Sequence, residues 1–523
     1  MLLIVLAVLG VLVLAAGVVA TVTVRAGMPT TSGELELDGL DAEVEVLRDQ
    51  HGVPTIVASS ADDLFYAQGF VHAQDRFWEM DFRRHVTAGR VAELFGSDQV
   101  ETDRFVRTLG WRRVAEQELE LLEDDTRAML AAYAEGVNAW MAGRSGRALS
   151  LEHALLPLAG PSGYQPEPWD PVDSLAWLKA MAWDLRANLE DELERGRLSA
   201  TELPGERDWR ELFPPFDEQR FPPILPEGGE LLDGAFVPNA SEVDDPTSVD
   251  TEVDPTPSAA TLAAHPGVDG ALDAAQRALA NSPALLGDGA GGALGSNSWV
   301  VAPERSTTGT ALLANDPHLG PSQPSLWYQV GLRCEPVSTD CPYRTVGFSF
   351  SGVPGIVIGH NDTVGWGFTN LGADVADLFV ERIDGDRYLT EEGWEPLEQR
   401  TETIRVAGGE DVEVTVRETR HGPLFSDVSD AADELAGGAE HGDDGPVAEV
   451  DDPDEGVEHA VALRWVALDP NPTMDALPGL MAARDWQQFR EAASRFEVPS
   501  QNLVYADVEG RIGYQAPGRI PVR

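Results

Sequence analysis

Ser296–Gly320 reads SNSWVVAPERSTTGTALLANDPHLG. Immediately before it, Gly291–Gly295 reads GGALG and closes a stretch, Asn239 to Ala293, dominated by Pro, Gly, Asp, Ser and Ala. So few large apolar side chains cannot bury enough surface to offset ordering entropy, and the stretch reads as a linker. At Ser296 the texture changes. Val, Ile, Phe and Trp recur between turn residues, here and in YRTVGFSFSGVPGIVIGHND from Tyr343 to Asp362, which is the pattern of a stacked β-sheet core.

Upstream, Ala42 to Ser59 alternates like a strand. Ala61 to Glu93 reads as helix, with Asp62 and Asp63 at its start and Phe65, Phe70, Phe77 and Met80 at helical spacing. Helical patterns continue through Trp140 and return from Val172 to Leu198, and the character changes from about Pro214. Ser426 to Glu458 is acidic and Gly-rich and reads as a solvated surface insertion. Two ordered regions around a disposable acidic linker suggest a precursor cut into two chains that stay associated.

The chain has 523 residues, too many for one ordinary domain and ample for a large core. Its 89 acidic and 37 basic residues give a net charge of −52, which repels nucleic acid phosphates and argues against that class of partner. Lys179 is the only lysine. At molar salt the Debye length falls to about 3 Å and self-repulsion is screened, so the composition fits a salt-loving organism; an acidic chain from a GC-rich genome is the alternative. Met1 to Val24 carries no charged side chain and is followed by Arg25; at about 1.5 Å per helical residue it is long enough to span a bilayer. It lacks the basic start of a cleaved signal, so residues 1–25 are expected to be an anchor, or else a signal sequence. Either implies export, to the extracellular face of the membrane. Cys334 and Cys341 lie close together in RCEPVSTDCPY; in an exported chain they are expected to form a local disulfide, with two free thiols as the alternative.

Familiar catalytic motifs are absent from the sequence. Ser349 and Ser351 in GFSFSG do not form G-x-S-x-G, and there is no H-E-x-x-H, P-loop or G-x-G-x-x-G opening a helix. The ten histidines form no obvious metal cluster. A serine can instead be activated by its own α-amino group when it is the first residue of a chain, because a free amine with a pKa near about 8 accepts the hydroxyl proton. The small residues before Ser296 suit a cleavage at Gly295–Ser296, although most Gly-Ser steps are only loop.

Ser296–Gly320 resembles the penicillin acylase family of N-terminal-nucleophile hydrolases. So do RDQHGVPTIVASSADDLFYAQGFVHAQDRFWEMDFRRHVTAGRVAELFG from Arg48, MAWDLRANLEDELERGRL from Met181, VPGIVIGHNDTVGWGFTNLGADVADLFVERI from Val353 and QNLVYADVEGRIGYQAPGRIP from Gln501. Five ordered blocks cover most of the chain. The resemblance implies an α+β fold, the four-layered αββα sandwich with a helical α-chain. It divides the chain into an α-chain region (26–235), a spacer propeptide (236–295) and a β-chain region (296–523) with an insertion at 426–458. Family β-chains run past GRIPVR, so this one is expected to be incomplete at its C-terminus.

Roles carry over by position. The resemblance makes Ser296 the nucleophile and Gly295 the residue before the scissile bond. Asn370, in GFTNLG, falls where the family offers a backbone N–H to the oxyanion, and Asn502, in PSQNLVYAD, where a side-chain amide supplies the second donor. His318, in NDPHLG, is expected to orient the serine or its amine, or to be structural. Glu192, Asp374, Asp377 and the Ala376 carbonyl match positions that hold a structural Ca²⁺, a cation that favours oxygen ligands. Met181, Trp183, Leu319 and Phe348 are candidates for the acyl pocket. The function implied is hydrolysis of a linear amide, with penicillin-type side chains or N-acyl homoserine lactones as substrates, after self-cleavage to an α/β heterodimer. The alternative is a non-catalytic, membrane-anchored surface or binding protein.

Overall fold

The computed structural model describes residues 1–158, 160–161, 163–200, 209–214, 220–221, 229–232, 235–238, 267–283, 295–428 and 457–522. Helix α1 spans Leu2–Ala26, has no buried residue and is long and apolar enough to cross a membrane by length and composition alone. Strands β1 (Glu45–Arg48) and β2 (Pro54–Ala58) fill the first alternating stretch. Helix α2 (Ala61–Thr87) begins where the Ser60 side chain accepts from Asp63 N–H, with Asp62 and Asp63 favourably placed at the positive end of the helix. Its apolar stripe, including Leu64, Phe65, Val71, Phe77 and Met80, is buried. Helix α3 (Asp124–Met141) crosses it closely: a Cβ on Gly69 would meet the Tyr133 carbonyl oxygen at 2.1 Å, and one on Gly136 the Tyr66 carbonyl oxygen at 1.8 Å. Glycine at both crossing points is therefore a packing requirement.

Pro171–Asp184 forms α4, opened by a capping box in which Asp170 and Asp173 satisfy one another's backbone N–H groups. The continuous helical reading from Val172 to Leu198 is corrected here. The helix stops at Leu185, Asn188 takes a left-handed φ of 77°, and α5 (Leu189–Ala200) starts afresh. Within the break Ala187 bridges Asp374.

Part of the stretch read as linker is ordered helix. Val268–Ala280 forms α6, and Val268, Leu272, Ala275, Ala278 and Leu279 recur at helical spacing and enter the main core. Its Ala-rich composition looks like linker in a composition window, yet alanine is the strongest helix former. Residues 239–266 and 284–294 of the spacer lie outside the described residues. The same holds for 429–456 of the acidic insertion. Its first residues are not surface: Ser426 and Val428 are buried, and the Ser426 hydroxyl accepts from Val461 N–H at 3.0 Å.

The second half is β-rich. Strands β3 (Gly295–Val301) and β4 (Leu312–His318) form a hairpin. Then come β5 (Trp327–Cys334), β6 (Arg344–Phe350), β7 (Ile358–His360), β8 (Val364–Asn370), β9 (Ala376–Asp384), β10 (Glu458–Trp465), β11 (Gln501–Asp507) and β12 (Ile512–Gln515). An eight-stranded sheet has the order β1-β2-β5-β6-β7-β8-β11-β12, antiparallel except where β2 meets β5. α2 lies on this sheet, its Gln68 amide exchanging two hydrogen bonds with the Gly355 backbone. The β3–β4 hairpin packs on β8 and β11. Of the expected αββα sandwich, the described residues form helix on sheet with this hairpin packed on β8 and β11, while β9 and β10 pair antiparallel in a separate four-stranded sheet. Cys334 and Cys341 are disulfide-bonded, with Cα atoms 5.7 Å apart.

Candidate active site

Ser296 is the second residue of β3, so the site depends on where the hairpin is held. Asn315 of β4 holds it. Its amide donates to the Phe368 carbonyl at 2.8 Å and accepts from Phe368 N–H at 3.1 Å. Gly367 permits the approach, since a Cβ there would lie 2.7 Å from Asn315 Cβ. Register then decides which side chains face inward. Ser296 stands opposite Pro317, and both line one cleft. Gly295 is exposed, with nothing among the described residues within 4 Å of a Cβ built on it, so the Gly295–Ser296 peptide sits at an open strand end among those residues.

The cleft spans about 750 Å³ of empty space, counting the open solvent at its mouth. Met181 and Leu185 come from α4 and its end, Trp327 and Phe350 from β5 and β6, and Met474 and Phe496 from the segment before β11. Among the described residues no charged side chain lines it. Ser296, Thr369, Asn370, Thr473 and Gln501 are its polar members. A mostly apolar cleft with a few convergent polar groups suits an uncharged acyl group.

The expected site residues divide into three groups. Ser296 and Asn370 share the cleft. Asn502 is joined to Asn370 across β8 and β11: its amide nitrogen donates to the Asn370 carbonyl at 3.1 Å, and Tyr514 Oη donates to its side-chain oxygen at 2.5 Å. In the uncut chain the Asn502 amide is thus held at the strand pair behind Asn370. His318 is turned away. It pairs with Gly295, one residue out of phase with Ser296, so strand alternation puts its ring on the other face. There Nδ1 bonds the Asp316 carbonyl at 2.8 Å and the side chain is 46% exposed. Of the pocket candidates, Met181 and Leu319 line the cleft. Trp183 is buried in the core against Phe105 and Trp465, and Phe348 is exposed on the sheet.

The expected calcium ligands lie where α5 meets β9. Glu192 accepts from Leu378 N–H at 2.9 Å. Burial, reinforced by the nearby Asp377 and Asp374 charges, raises its carboxyl to about 7. Crowded acids of this kind are relieved by a cation, and the donors are all oxygen. Among the described residues no group of three or more His, Cys, Asp or Glu converges at metal-ligand spacing.

Local pattern does not reveal Leu185, Trp327, Phe350 or Gln501 as site residues. Asn370 Nδ2 donates to the Leu185 carbonyl at 2.8 Å, satisfying a backbone acceptor at the end of α4 and fixing Leu185 at the cleft wall.

Residues 43–523 match the family described as penicillin amidase. The chain is 30% identical over 500 residues to the acyl-homoserine lactone acylase QuiP of Pseudomonas aeruginosa, covering 95% of this chain and 52% of that one. It is 33% identical over 503 residues to the penicillin acylase 2 proenzyme of a Pseudomonas species, covering 95% and 55%. The chain therefore spans about half the length of these curated relatives. A thermostable penicillin G acylase structure from Alcaligenes faecalis aligns at 28% identity over 42% of this chain and 35% of that one, with a TM-score of 0.33, too low to carry a fold argument.

Proposed function

This chain belongs to the penicillin amidase family, and from that premise we propose that it hydrolyses linear amides with apolar acyl groups, using Ser296 as nucleophile once the Gly295–Ser296 bond is cut. The relatives it matches are acylases, which supports the general amidohydrolase class. The observation that carries the finer reading is that Ser296, at an open strand end, lines an uncharged apolar cleft together with Asn370.

Ser296 Oγ attacks the Gly295 carbonyl in an N→O acyl shift. That shift breaks the Gly295–Ser296 C–N bond and frees the Ser296 amine; water then hydrolyses the ester, releasing the Gly295 carboxylate and regenerating the Oγ hydroxyl. In turnover that amine accepts the Oγ proton as Oγ attacks the substrate carbonyl. The tetrahedral oxyanion is met by the Asn370 backbone N–H and by the Asn502 amide, released from the Asn370 carbonyl. Collapse returns the proton to the leaving amine, and water attacks the acyl ester. Two such donors account for a large share of the rate, each contributing about 10²–10³.

The substrates proposed are penicillin-type side-chain amides and N-acyl homoserine lactones. Incubating the protein with both classes and assaying free amine tests the reading; release from neither contradicts it. A structural Ca²⁺ held by Glu192, Asp374, Asp377 and the Ala376 carbonyl would neutralise the acids and tie α5 to β9, joining the α- and β-chains of the heterodimer. α1 is proposed to direct export, as anchor or signal.

A further inference from the structure

Thr369, Thr473 and Gln501 line the cleft without a role in this mechanism, and of these Gln501 carries a buried polar atom without a partner among the described residues. Gln501, the first residue of β11, lines the cleft and is 5% exposed. Its Nε2 is buried and has no hydrogen-bond partner among the described residues. Its backbone does not share that state, since Gln501 N–H donates to the Pro517 carbonyl at 3.1 Å. Leaving a buried amide N–H unsatisfied is costly, and the apolar walls offer it nothing.

We infer that Gln501 Nε2 is a specificity subsite that donates a hydrogen bond to an acceptor atom within the acyl group, such as a keto or ether oxygen close to the scissile carbonyl. The inference rests on the acyl-binding role proposed for the cleft. Position within the sheet gives the "close". Gln501 pairs in register with Asn370, the residue expected to donate to the oxyanion. It also directly precedes Asn502. An acceptor a few atoms along the acyl chain from the carbonyl lies in its reach, and one at the far end does not. Trp327 Nε1 is also buried without a partner. It stands on β5, four strands away in the sheet order β5-β6-β7-β8-β11, roughly 19 Å at normal strand spacing, so it belongs to the opposite wall and does not duplicate the subsite.

A site built to hydrogen-bond a ligand discriminates against the analogue lacking the partner, because its own group then stays buried and unpaired. The test uses two stable acids of equal chain length, octanoic acid and pentyloxyacetic acid, which differ by one methylene replaced with an ether oxygen. Their binding to the purified full-length chain is measured by calorimetry. The expected result is tighter binding of the ether acid by about tenfold. Gln501→Leu should abolish the preference and bind octanoic acid more tightly than the unaltered chain. Gln501→Met, unbranched like glutamine, repeats the test if leucine disturbs the strand. Equal binding of both acids to the unaltered chain, or a preference that survives in both variants, overturns the subsite while leaving the acyl cleft in place. Binding of neither acid overturns the acyl-cleft reading itself, and the subsite with it.

Discussion

Asn315 makes two hydrogen bonds with the backbone of Phe368, donating to its carbonyl at 2.8 Å and accepting from its N–H at 3.1 Å. This side chain fastens the hairpin that carries Ser296 to the central sheet. Asn315→Leu removes both bonds and strands partly buried backbone groups, so it is expected to lower stability by about 2 kcal/mol. The loss of self-cleavage and hydrolysis should exceed what that destabilisation explains, because the nucleophile shifts with the hairpin. Urea unfolding and free-amine release measured on the same preparation check this.

Asn502 is the expected side-chain donor to the oxyanion. Asn502→Ala should reduce kcat by about 10²–10³ and leave KM little changed, since the donor acts on charge present only in the transition state. Tyr514 orients that amide through its 2.5 Å bond to the Asn502 side-chain oxygen. Tyr514→Phe should therefore give a smaller fall, about fivefold. An Asn502→Ala enzyme with unaltered kcat would remove the residue from the mechanism.

Helix α6 lies inside the region expected to be discarded as a spacer, yet Leu272, Ala275 and Ala278 are in the core, and Arg197 of α5 pairs with Asp273 at 2.7 Å. Processing is therefore expected to leave Val268–Ala280 in the mature protein. Peptide mapping of processed, folded material should recover this helix. A mature protein lacking it and still stable would show that the core closes without it. Leu272→Asp, which places an unpaired charge there, should cost several kcal/mol.

Glu192 sets a pH dependence. Its carboxyl is raised to about 7 in the folded state by burial and by Asp377 and Asp374, against an ordinary value of 4.5. Between those values the folded state binds more protons than the unfolded one, so stability falls as pH rises from about 4.5 to 7. Glu192→Gln should flatten that part of the profile. Calcium added above pH 7 should raise Tm in the unaltered chain and much less in the variant. Thermal unfolding with and without chelator reads both effects, and an identical calcium response in the two proteins would remove Glu192 from the cation site.

What was legible in the sequence is what local chemistry decides. The acidic start of α2 at Asp62 and Asp63 and its buried Phe70, Phe77 and Met80 follow from the helix dipole and helical period, whereas the Ser60 cap emerges only in the structure. The β texture after Ser296 follows from residue type. What was hidden depends on distant partners. The break after Leu185 is held by Asn370, far along the chain. His318 leaves the site through a one-residue register, which proximity in sequence does not reveal. Helix α6 was masked by the Pro- and Gly-rich composition around it. The cleft wall is assembled by sheet order, which brings Trp327, Phe350 and Gln501 to one space.

The central claim is that Ser296 becomes a chain terminus and then the nucleophile. Intact-mass and N-terminal peptide analysis of the purified protein tests it most directly. The account predicts a polypeptide beginning at Ser296 in the unaltered protein, and only uncut chain, without amidase activity, in Ser296→Ala. An unaltered protein that stays full-length, or a Ser296→Ala protein that is still cut at this bond, would contradict it.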